Sequence, residues 1–126
     1  VQRGVDVVRG WGPAAAHAAS TFLAPGRRGM DRMEDFTALE RLEGGTLLFG
    51  VFDGHGGPEV SRHCSLNLKR SFLAAASGLG PDGSPGDALQ GALQMLEVQV
   101  MKMKDVTCGT TALVGCLVGG DLVSCA

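Results

Sequence analysis

The sequence predicts an α+β domain with an antiparallel sheet, and three observations lead to that prediction. Strand-like segments stand near both ends of the chain, and two helix-like segments lie between them. Short glycine-containing turns, at residues 43–45 and 119–121, separate neighbouring strand-like segments. Turns this short join antiparallel strands, whereas parallel strands need a long crossover connection. Strands that are segregated from helices in this way are typical of the α+β class.

The first elements are a short strand and a segment of undecided type. Val5, Val7 and Val8 predict a short strand, which ends at the glycines and proline of residues 10–13. Residues 14–23 fit a helix by their alanine content. They fit a strand nearly as well by their Thr, Phe and Leu ending, so both alternatives stay open.

A β-hairpin is predicted next, over residues 36–52. Its first strand, residues 36–42, follows a polar, charged loop over residues 26–35. Residues 43–45 form the turn, and residues 46–52 pair back antiparallel with the first strand. The residues just before the first strand therefore lie beside those just after the second.

Side chains suited to chemistry stand directly after the second strand. Asp53 is a carboxylate at a strand end, where the strand fixes the backbone while the loop leaves one side open to a hard cation. Glycine at position 54 permits a close backbone approach, so the Gly54 carbonyl is a further candidate ligand. His55 adds a group that donates or accepts a proton near neutral pH.

Two other interpretations fit part of this stretch. An Asp-Gly-His sequence alone is more typical of a solvated turn between a strand and a helix, but the run of unusual residues from Asp53 to Gly57 favours a site. Gly54 and Gly56 have the spacing of the first two glycines of a dinucleotide-binding fingerprint. Glu59 stands where that fingerprint needs a small residue, so the sequence argues against nucleotide binding.

Three carboxylates are predicted to converge at the open end of the hairpin. Glu34 and Asp35 precede the first strand and Asp53 follows the second, so antiparallel pairing brings them together. Carboxylates this close repel one another, and a divalent cation relieves the repulsion. Oxygen ligands favour Mg²⁺ or Mn²⁺ over softer metals. Glu34 and Asp35 alone fit a solvated turn, and the nearness of Asp53 is what favours a metal site.

Two amphipathic helices are predicted, over residues 58–76 and residues 87–104. Apolar residues recur in each every three or four positions, which is typical of a helix that covers a core. They are Val60, Cys64, Leu68 and Phe72 in the first helix, and Leu89, Leu93, Leu96, Val100 and Met103 in the second. Met95, Met101 and Met103 are predicted to fill the core rather than to form a groove for a partner.

Composition and charge exclude several classes of function. The chain has 126 residues and a formal net charge of −2, and no basic run is long enough to bind nucleic acid. No apolar run reaches the length of a membrane span. Four cysteines without a C-x-x-C pair predict neither a zinc site nor disulfides. They favour a reducing, intracellular compartment, cytoplasmic or nuclear.

The ends of the sequence favour a piece of a larger domain. The chain begins at Val1 without an initiating Met and stops at Ala126 within a strand-like run. A natural terminus seldom lies inside a segment that is typical of core. We therefore expect residues 1–126 to be one portion of a longer domain.

Three motifs stand out in order along the chain: Met33-Glu34-Asp35, Phe49-Gly50-Val51-Phe52-Asp53-Gly54-His55-Gly56-Gly57, and Gly109-Thr110-Thr111-Ala112. Together they resemble the first motifs of the metal-dependent protein serine/threonine phosphatases, the PPM type or protein phosphatase 2C family. The resemblance implies that residues 1–126 are the N-terminal portion of the catalytic domain, without the family's later metal ligands. It implies two antiparallel sheets packed face to face with helices outside, a four-layer αββα arrangement that is incomplete in this chain.

The resemblance also implies a role for each motif residue at a site that holds two Mn²⁺ or Mg²⁺ ions. Asp53 would bridge the two metals, and the Gly54 carbonyl would ligate one of them. Glu34 would hold a metal-bound water, with Asp35 as a nearby ligand or supporting acid. His55 would be the general acid that protonates the leaving serine or threonine oxygen.

Phosphate binding is where the chain departs from the family pattern. The family's phosphate-gripping Arg usually stands three residues before the Met of Met-Glu-Asp, and here that position is Met30. Arg32 is the candidate replacement, with Arg27 and Arg28 as further ones.

Thr111 would orient its neighbours at the site. The implied activity is hydrolysis of phosphoserine and phosphothreonine in protein substrates by a metal-activated water. The alternative is an inactive fragment or pseudophosphatase that acts as a binding module.

Overall fold

Strands near both ends of the chain and two helices between them form the described structure. It is a computed structural model, and it describes residues 5–8 and 33–126. In chain order the elements are β1 (Val5–Val8), β2 (Asp35–Arg41), β3 (Leu47–His55), α1 (Glu59–Ser77), α2 (Pro85–Met101), β4 (Gly109–Thr110), β5 (Leu113–Val118) and β6 (Asp121–Cys125). The segment of undecided type, residues 14–23, lies outside the described residues.

Every strand pairing in the described sheet is antiparallel. The order across the sheet is β1, β6, β5, β3, β2, and β4 pairs with the end of β3. The predicted α+β fold with an antiparallel sheet is therefore confirmed. Both helices pack on one face of this sheet, so the described residues form one sheet layer and one helix layer. The second sheet of the implied four-layer arrangement is not among the described residues.

The hairpin of β2 and β3 sets the register at the end of the sheet that carries the motif residues. Its turn is the short 3₁₀ segment Glu43–Gly45, as predicted. Gly44 and Gly45 have φ of 79° and 85°, a left-handed conformation that glycine adopts at little cost. From this turn the strands pair residue by residue, and at the far end Asp35 stands directly opposite Asp53.

The two faces of β3 carry different kinds of side chain. Leu48 and Phe52 point toward the helices and are fully buried. Val51 lies on the other face and is 48% exposed. Leu113 pairs with it from β5 and is 49% exposed. Because side chains alternate along a strand, Asp53 lies on the same face as Val51, so two apolar side chains adjoin the acidic end of the hairpin.

The core lies between the sheet and the helices, where the predicted apolar stripes are buried. Leu68 of α1 and Leu89 of α2 are fully enclosed. The other buried members of the stripes are Val60, Cys64, Phe72, Leu93 and Leu96. Leu68 packs over Gly50 of β3, where an added Cβ would lie 2.8 Å from the Leu68 Cδ2 atom. Glycine at that position therefore lets α1 approach the sheet closely.

Polar side chains also join the two helices. The His63 Nε2 atom of α1 lies 2.8 Å from the Gln99 Oε1 atom of α2. The Gln99 side-chain amide donates to the Ser71 hydroxyl at 3.3 Å, and Ser71 is buried. These bonds fix the two helices against each other. In the part of the chain that the structure describes, neither helix has the length and apolar character needed to cross a bilayer.

Helix α2 begins two residues earlier than predicted, at Pro85. The cause is a capping box: the Asp87 N–H donates to the Ser84 hydroxyl at 3.1 Å, and the Ser84 N–H donates to the Asp87 carboxylate at 3.2 Å. Proline fits the first helical position because it has no N–H to leave unsatisfied there. The helix ends at Met101, three residues before the predicted end.

The prediction that the methionines fill the core is wrong for two of them. Met95 is 37% exposed and Met101 is 81% exposed. Leu89, Leu93 and Leu96 already occupy the side of α2 that faces the sheet, and Met95 and Met101 lie on other sides of the helix. Met103 lies beyond the end of the helix and is partly buried.

Replacing Leu68 with Ala is expected to lower the free energy of unfolding by about 2–5 kcal/mol, because the truncation leaves a cavity between α1 and the sheet. Urea denaturation followed by circular dichroism measures the change. Leu66→Ala, on the same helix where the side chain is 69% exposed, is the matched control and should change stability by less than about 0.5 kcal/mol. Equal losses in both variants would contradict the packing of α1.

Candidate functional site

The candidate site lies at the open end of the β2–β3 hairpin. Asp35 and Asp53 are directly opposite each other across the two strands, and both are exposed. Side chains in such a pair leave the same face of the sheet, with their Cβ atoms about 5 Å apart. Like charges placed directly opposite each other are destabilising. A divalent cation between the two carboxylates would remove that repulsion.

The backbone of Glu34 is joined to this pair through Gly54. The Gly54 N–H donates to the Glu34 carbonyl at 3.1 Å, and the Ser61 hydroxyl of α1 donates to the same oxygen. A Cβ added at Gly54 would overlap the Glu34 carbonyl and lie 2.7 Å from the Ser61 Oγ atom. Only glycine therefore fits at position 54 without moving the backbone of one of its neighbours.

The short strand β4 and the residue after it, Thr111, support Asp53 and His55 from the other side of β3. The Thr111 N–H donates to the Asp53 carbonyl at 2.8 Å, and the Thr111 Oγ1 atom lies 3.4 Å from the same oxygen. His55 pairs with Gly109, where an added Cβ would lie 2.8 Å from the His55 Nε2 atom. The imidazole thus covers a glycine, and it remains exposed on its outer side.

The loop after His55 is held by a contact between Glu59 and Cys108. Gly56 and Gly57 have φ of 76° and 144°, and both lie against Cys108. The Cys108 thiol donates to the Glu59 carboxylate, with Sγ and Oε2 3.2 Å apart. A hydrogen bond from the Glu59 backbone N–H, and then the bond from Cys108, lower the pKa of Glu59. The carboxylate therefore stays ionised in the first turn of α1, where the helix dipole favours a negative charge.

None of the four cysteines, all of which are among the described residues, forms a disulfide. Burial raises the pKa of both Cys64 and Cys116 to about 11. Cys125 is also buried, and Cys108 is partly exposed. Since the thiolate is the nucleophilic form, the buried cysteines act as small apolar residues of the core.

The structure brings most of the predicted site residues to one place. Asp35, Asp53, His55 and the backbones of Glu34 and Gly54 meet at the open end of the hairpin, and Thr111 supports them. The candidate phosphate-binding residues lie outside the described residues, and they are Arg32, Arg27 and Arg28 together with Met30.

The donor atoms present fit a hard cation only in part. Two adjacent carboxylates and a backbone carbonyl are the oxygen ligands that Mg²⁺ and Mn²⁺ prefer. Residues 5–8 and 33–126 contain no group of three or more His, Cys, Asp or Glu side chains arranged to hold a metal. The predicted convergence of three carboxylates is therefore not found: Asp35 and Asp53 stand opposite each other, and no third side chain of the described residues completes a metal-binding group with them.

Two residues at this site were not predicted from the sequence. Ser61 reaches Glu34 across 27 positions of the chain, and Cys108 reaches Glu59 across 49. Ser61 adjoins the apolar stripe of α1, and a hydroxyl in a buried position needs a hydrogen-bond partner. The sequence could therefore have predicted that the Ser61 hydroxyl has a hydrogen-bond partner, but not that the partner is Glu34.

The sequence is similar to several curated proteins. It is 29% identical over 107 residues to "Probable protein phosphatase 2C 2" of Arabidopsis thaliana, covering 82% of this chain and 28% of that protein. It is 32% identical over 104 residues to "Probable protein phosphatase 2C 45" of Oryza sativa subsp. japonica, covering 79% of this chain and 35% of that protein. No protein-family model matches the chain.

The fold is similar to a solved structure of a sex-determining protein from C. elegans. The TM-score is 0.61 at 23% sequence identity, and the match covers 94% of this chain and 27% of the other. Fold and site together define an α+β protein with paired carboxylates at one edge of an antiparallel sheet. With the sequence similarities, the chain belongs to the protein phosphatase 2C family. It spans roughly a third or less of the length of the curated relatives described above.

Replacing Gly54 with Ala is expected to destabilise the chain by about 1–3 kcal/mol, because the new methyl group meets the Glu34 carbonyl and the Ser61 hydroxyl. Urea denaturation measures the loss. Gly80→Ala is the control, since an added Cβ there meets no atom within 4 Å. A Gly54→Ala variant as stable as Gly80→Ala would contradict the close packing of Gly54 against the Glu34 carbonyl and the Ser61 hydroxyl.

Native thiol labelling is expected to modify Cys108 first. At pH 8 the buried Cys64 and Cys116 remain protonated, because their pKa of about 11 lies well above that pH. Labelling with a disulfide reagent, followed by mass spectrometry of peptides, identifies the reacting residue. Addition of denaturant should expose all four thiols. Equally fast native labelling of Cys64 and Cys108 would contradict the burial of Cys64.

Proposed function

We propose that this chain supplies part of the active site of a protein serine/threonine phosphatase, which hydrolyses phosphoserine and phosphothreonine with a metal-activated water. The observation that carries the proposal is the direct pairing of Asp35 with Asp53, beside Gly54 and His55, in a chain of the protein phosphatase 2C family. The chain spans only part of its relatives, so the activity belongs to a protein that carries this chain in full.

Asp35, Asp53 and the Gly54 carbonyl would hold Mn²⁺ or Mg²⁺ at a two-metal site, with Glu34 beside them. When bound, the cations lower the pKa of water and stabilise the negative charge of a phosphate under attack. The contribution of the chain is to hold its oxygen donors in place before a cation arrives. The contacts from Thr111, the residue after β4, to the Asp53 carbonyl serve that purpose.

His55 is the proposed general acid. An imidazole changes its protonation state near neutral pH, so it can deliver a proton to the departing serine or threonine oxygen. Its ring is placed against Gly109 and is open on the outer side, where a substrate would approach. A thiol nucleophile has no role in this scheme, and the burial of Cys64 and Cys116 agrees with that.

Phosphorylated proteins are the proposed substrates, with Arg32 as the proposed phosphate-binding residue. An Arg guanidinium binds phosphate through two parallel hydrogen bonds. The four free cysteines fit a reducing, intracellular compartment.

A binding module without catalysis is the second candidate function. Met30 stands where the resembled pattern has an arginine, and residues 5–8 and 33–126 hold no group of three or more side chains arranged to bind a metal. Such a protein would bind phosphopeptides or partners through the same surface without hydrolysing them. Binding of a phosphothreonine peptide in the absence of Mn²⁺, together with no phosphate release in its presence, would favour this candidate.

Asp53→Asn is expected to abolish Mn²⁺-dependent phosphate release from a phosphothreonine peptide by a protein that carries this chain in full. The change keeps the size of the side chain and removes the charge that a cation requires. In the 126-residue chain, calorimetric titration with Mn²⁺ should show weaker binding for the same variant. Asp82→Asn, in the exposed loop between the helices, is the control and should match the unmodified chain. Unchanged phosphate release in Asp53→Asn would rule out the proposed role.

A further inference from the structure

Ser61 is a buried hydroxyl at the junction of three elements of the candidate site. It lies in the first turns of α1 and has no accessible surface. Its Oγ atom donates to the Glu34 carbonyl, just before β2, and lies 3.2 Å from the Pro58 carbonyl of its own helix. The Gly54 N–H, from β3, donates to the same Glu34 oxygen. One carbonyl therefore joins the entry of β2, the end of β3 and the start of α1.

The bond to Glu34 is not the one that a helical serine ordinarily makes. Serine inside a helix usually donates to a carbonyl three or four positions earlier, which here is that of Pro58. Ser61 lies within hydrogen-bond distance of that carbonyl, but its shorter bond is to Glu34, 27 positions away. The Glu34 carbonyl already accepts a bond from Gly54, so it has no need of a second donor to avoid burial without a partner. The bond from Ser61 therefore fixes the position of the Glu34 carbonyl, and is not needed to give that carbonyl a hydrogen-bond partner.

The position of the Glu34 carbonyl affects the acidic pair, Asp35 and Asp53. The Glu34 carbonyl belongs to the peptide that leads into Asp35, so fixing its orientation fixes the direction in which the Asp35 side chain leaves the backbone. The same carbonyl holds the Gly54 peptide, which follows Asp53. Both carboxylates and the Gly54 carbonyl are thus set relative to α1.

We infer that Ser61 is a positioning residue, whose hydroxyl holds the Asp35, Asp53 and Gly54 oxygens in the arrangement that receives a divalent cation. The inference rests on the proposed function for the identity of the cation site. The hydroxyl has no accessible surface at which a substrate or cation could contact it. Its effect passes through the Glu34 peptide.

The test compares two buried serines of the same helix. Ser61→Ala and Ser71→Ala each remove one buried hydroxyl from α1, but Ser71 bonds to Gln99 on α2, away from the acidic pair. In the 126-residue chain, Mn²⁺ titration by calorimetry should give a dissociation constant about tenfold higher for Ser61→Ala, the size typical for residues that orient metal ligands. Ser71→Ala should leave it unchanged. Equal dissociation constants in both variants and the unmodified chain would overturn the inference.

Amide hydrogen exchange separates this inference from the proposed function, because it needs no metal. Exchange at Gly54, whose N–H bonds to Glu34, should become at least about tenfold faster in Ser61→Ala and stay unchanged in Ser71→Ala. If the unmodified chain binds no Mn²⁺, the proposed cation site fails in this chain, and the exchange rates alone decide whether Ser61 holds the hairpin end. Unchanged exchange at Gly54 in Ser61→Ala would overturn the inference whatever the metal result.

Discussion

The antiparallel register of β2 on β3 is the constraint on which the structure depends. Because side chains alternate along a strand, a slip of one residue would turn Asp53 toward the helices and bring a core residue into the open. Two features prevent the slip. The turn with Gly44 and Gly45 sets the pairing from one end, and burial of Leu48 and Phe52 under α1 fixes which face of β3 is inside. The same register therefore determines both which side chains of β3 pack in the core and where the acidic pair lies.

At the open end of the hairpin, the backbone is fixed while the functional side chains stay exposed. Separate segments of the chain donate to adjacent carbonyls: Gly54 and Ser61 to Glu34, and Thr111 to Asp53. Hydrogen bonds between backbone groups do not depend on the rotamers of the carboxylates. An arrangement of this kind loses little conformational freedom when a ligand binds, which is the physical meaning of preorganisation.

Much of this fold follows from local patterns in the sequence. The hairpin, both helices and the strand pair at the C-terminal end were predicted from turn residues and apolar spacing, which act over a few positions. The earlier start of α2 could also have been predicted from the sequence, because Ser84 and Asp87 have the spacing of a capping box. The methionines were misplaced for a different reason: an apolar residue type does not by itself say which side of a helix it occupies.

The site was predicted less completely than the fold. Antiparallel pairing of a hairpin was enough to bring Asp35 beside Asp53, because the turn between them is short. The bonds from Ser61 and Cys108 join distant positions through the packing of α1 and β4, and no local pattern encodes a contact of that kind. Arg32 lies outside the described residues, so its part in phosphate binding stays a prediction.

The pairing of Val51 with Leu113 beside Asp53 has an electrostatic consequence. These apolar side chains are each about half exposed and share a face with the acidic pair. Any surface that packs against them also displaces solvent from the carboxylates and lowers the local dielectric constant. Charge interactions strengthen as that constant falls. Covering of this face and the strength of the electrostatic interactions of the two carboxylates are therefore physically coupled.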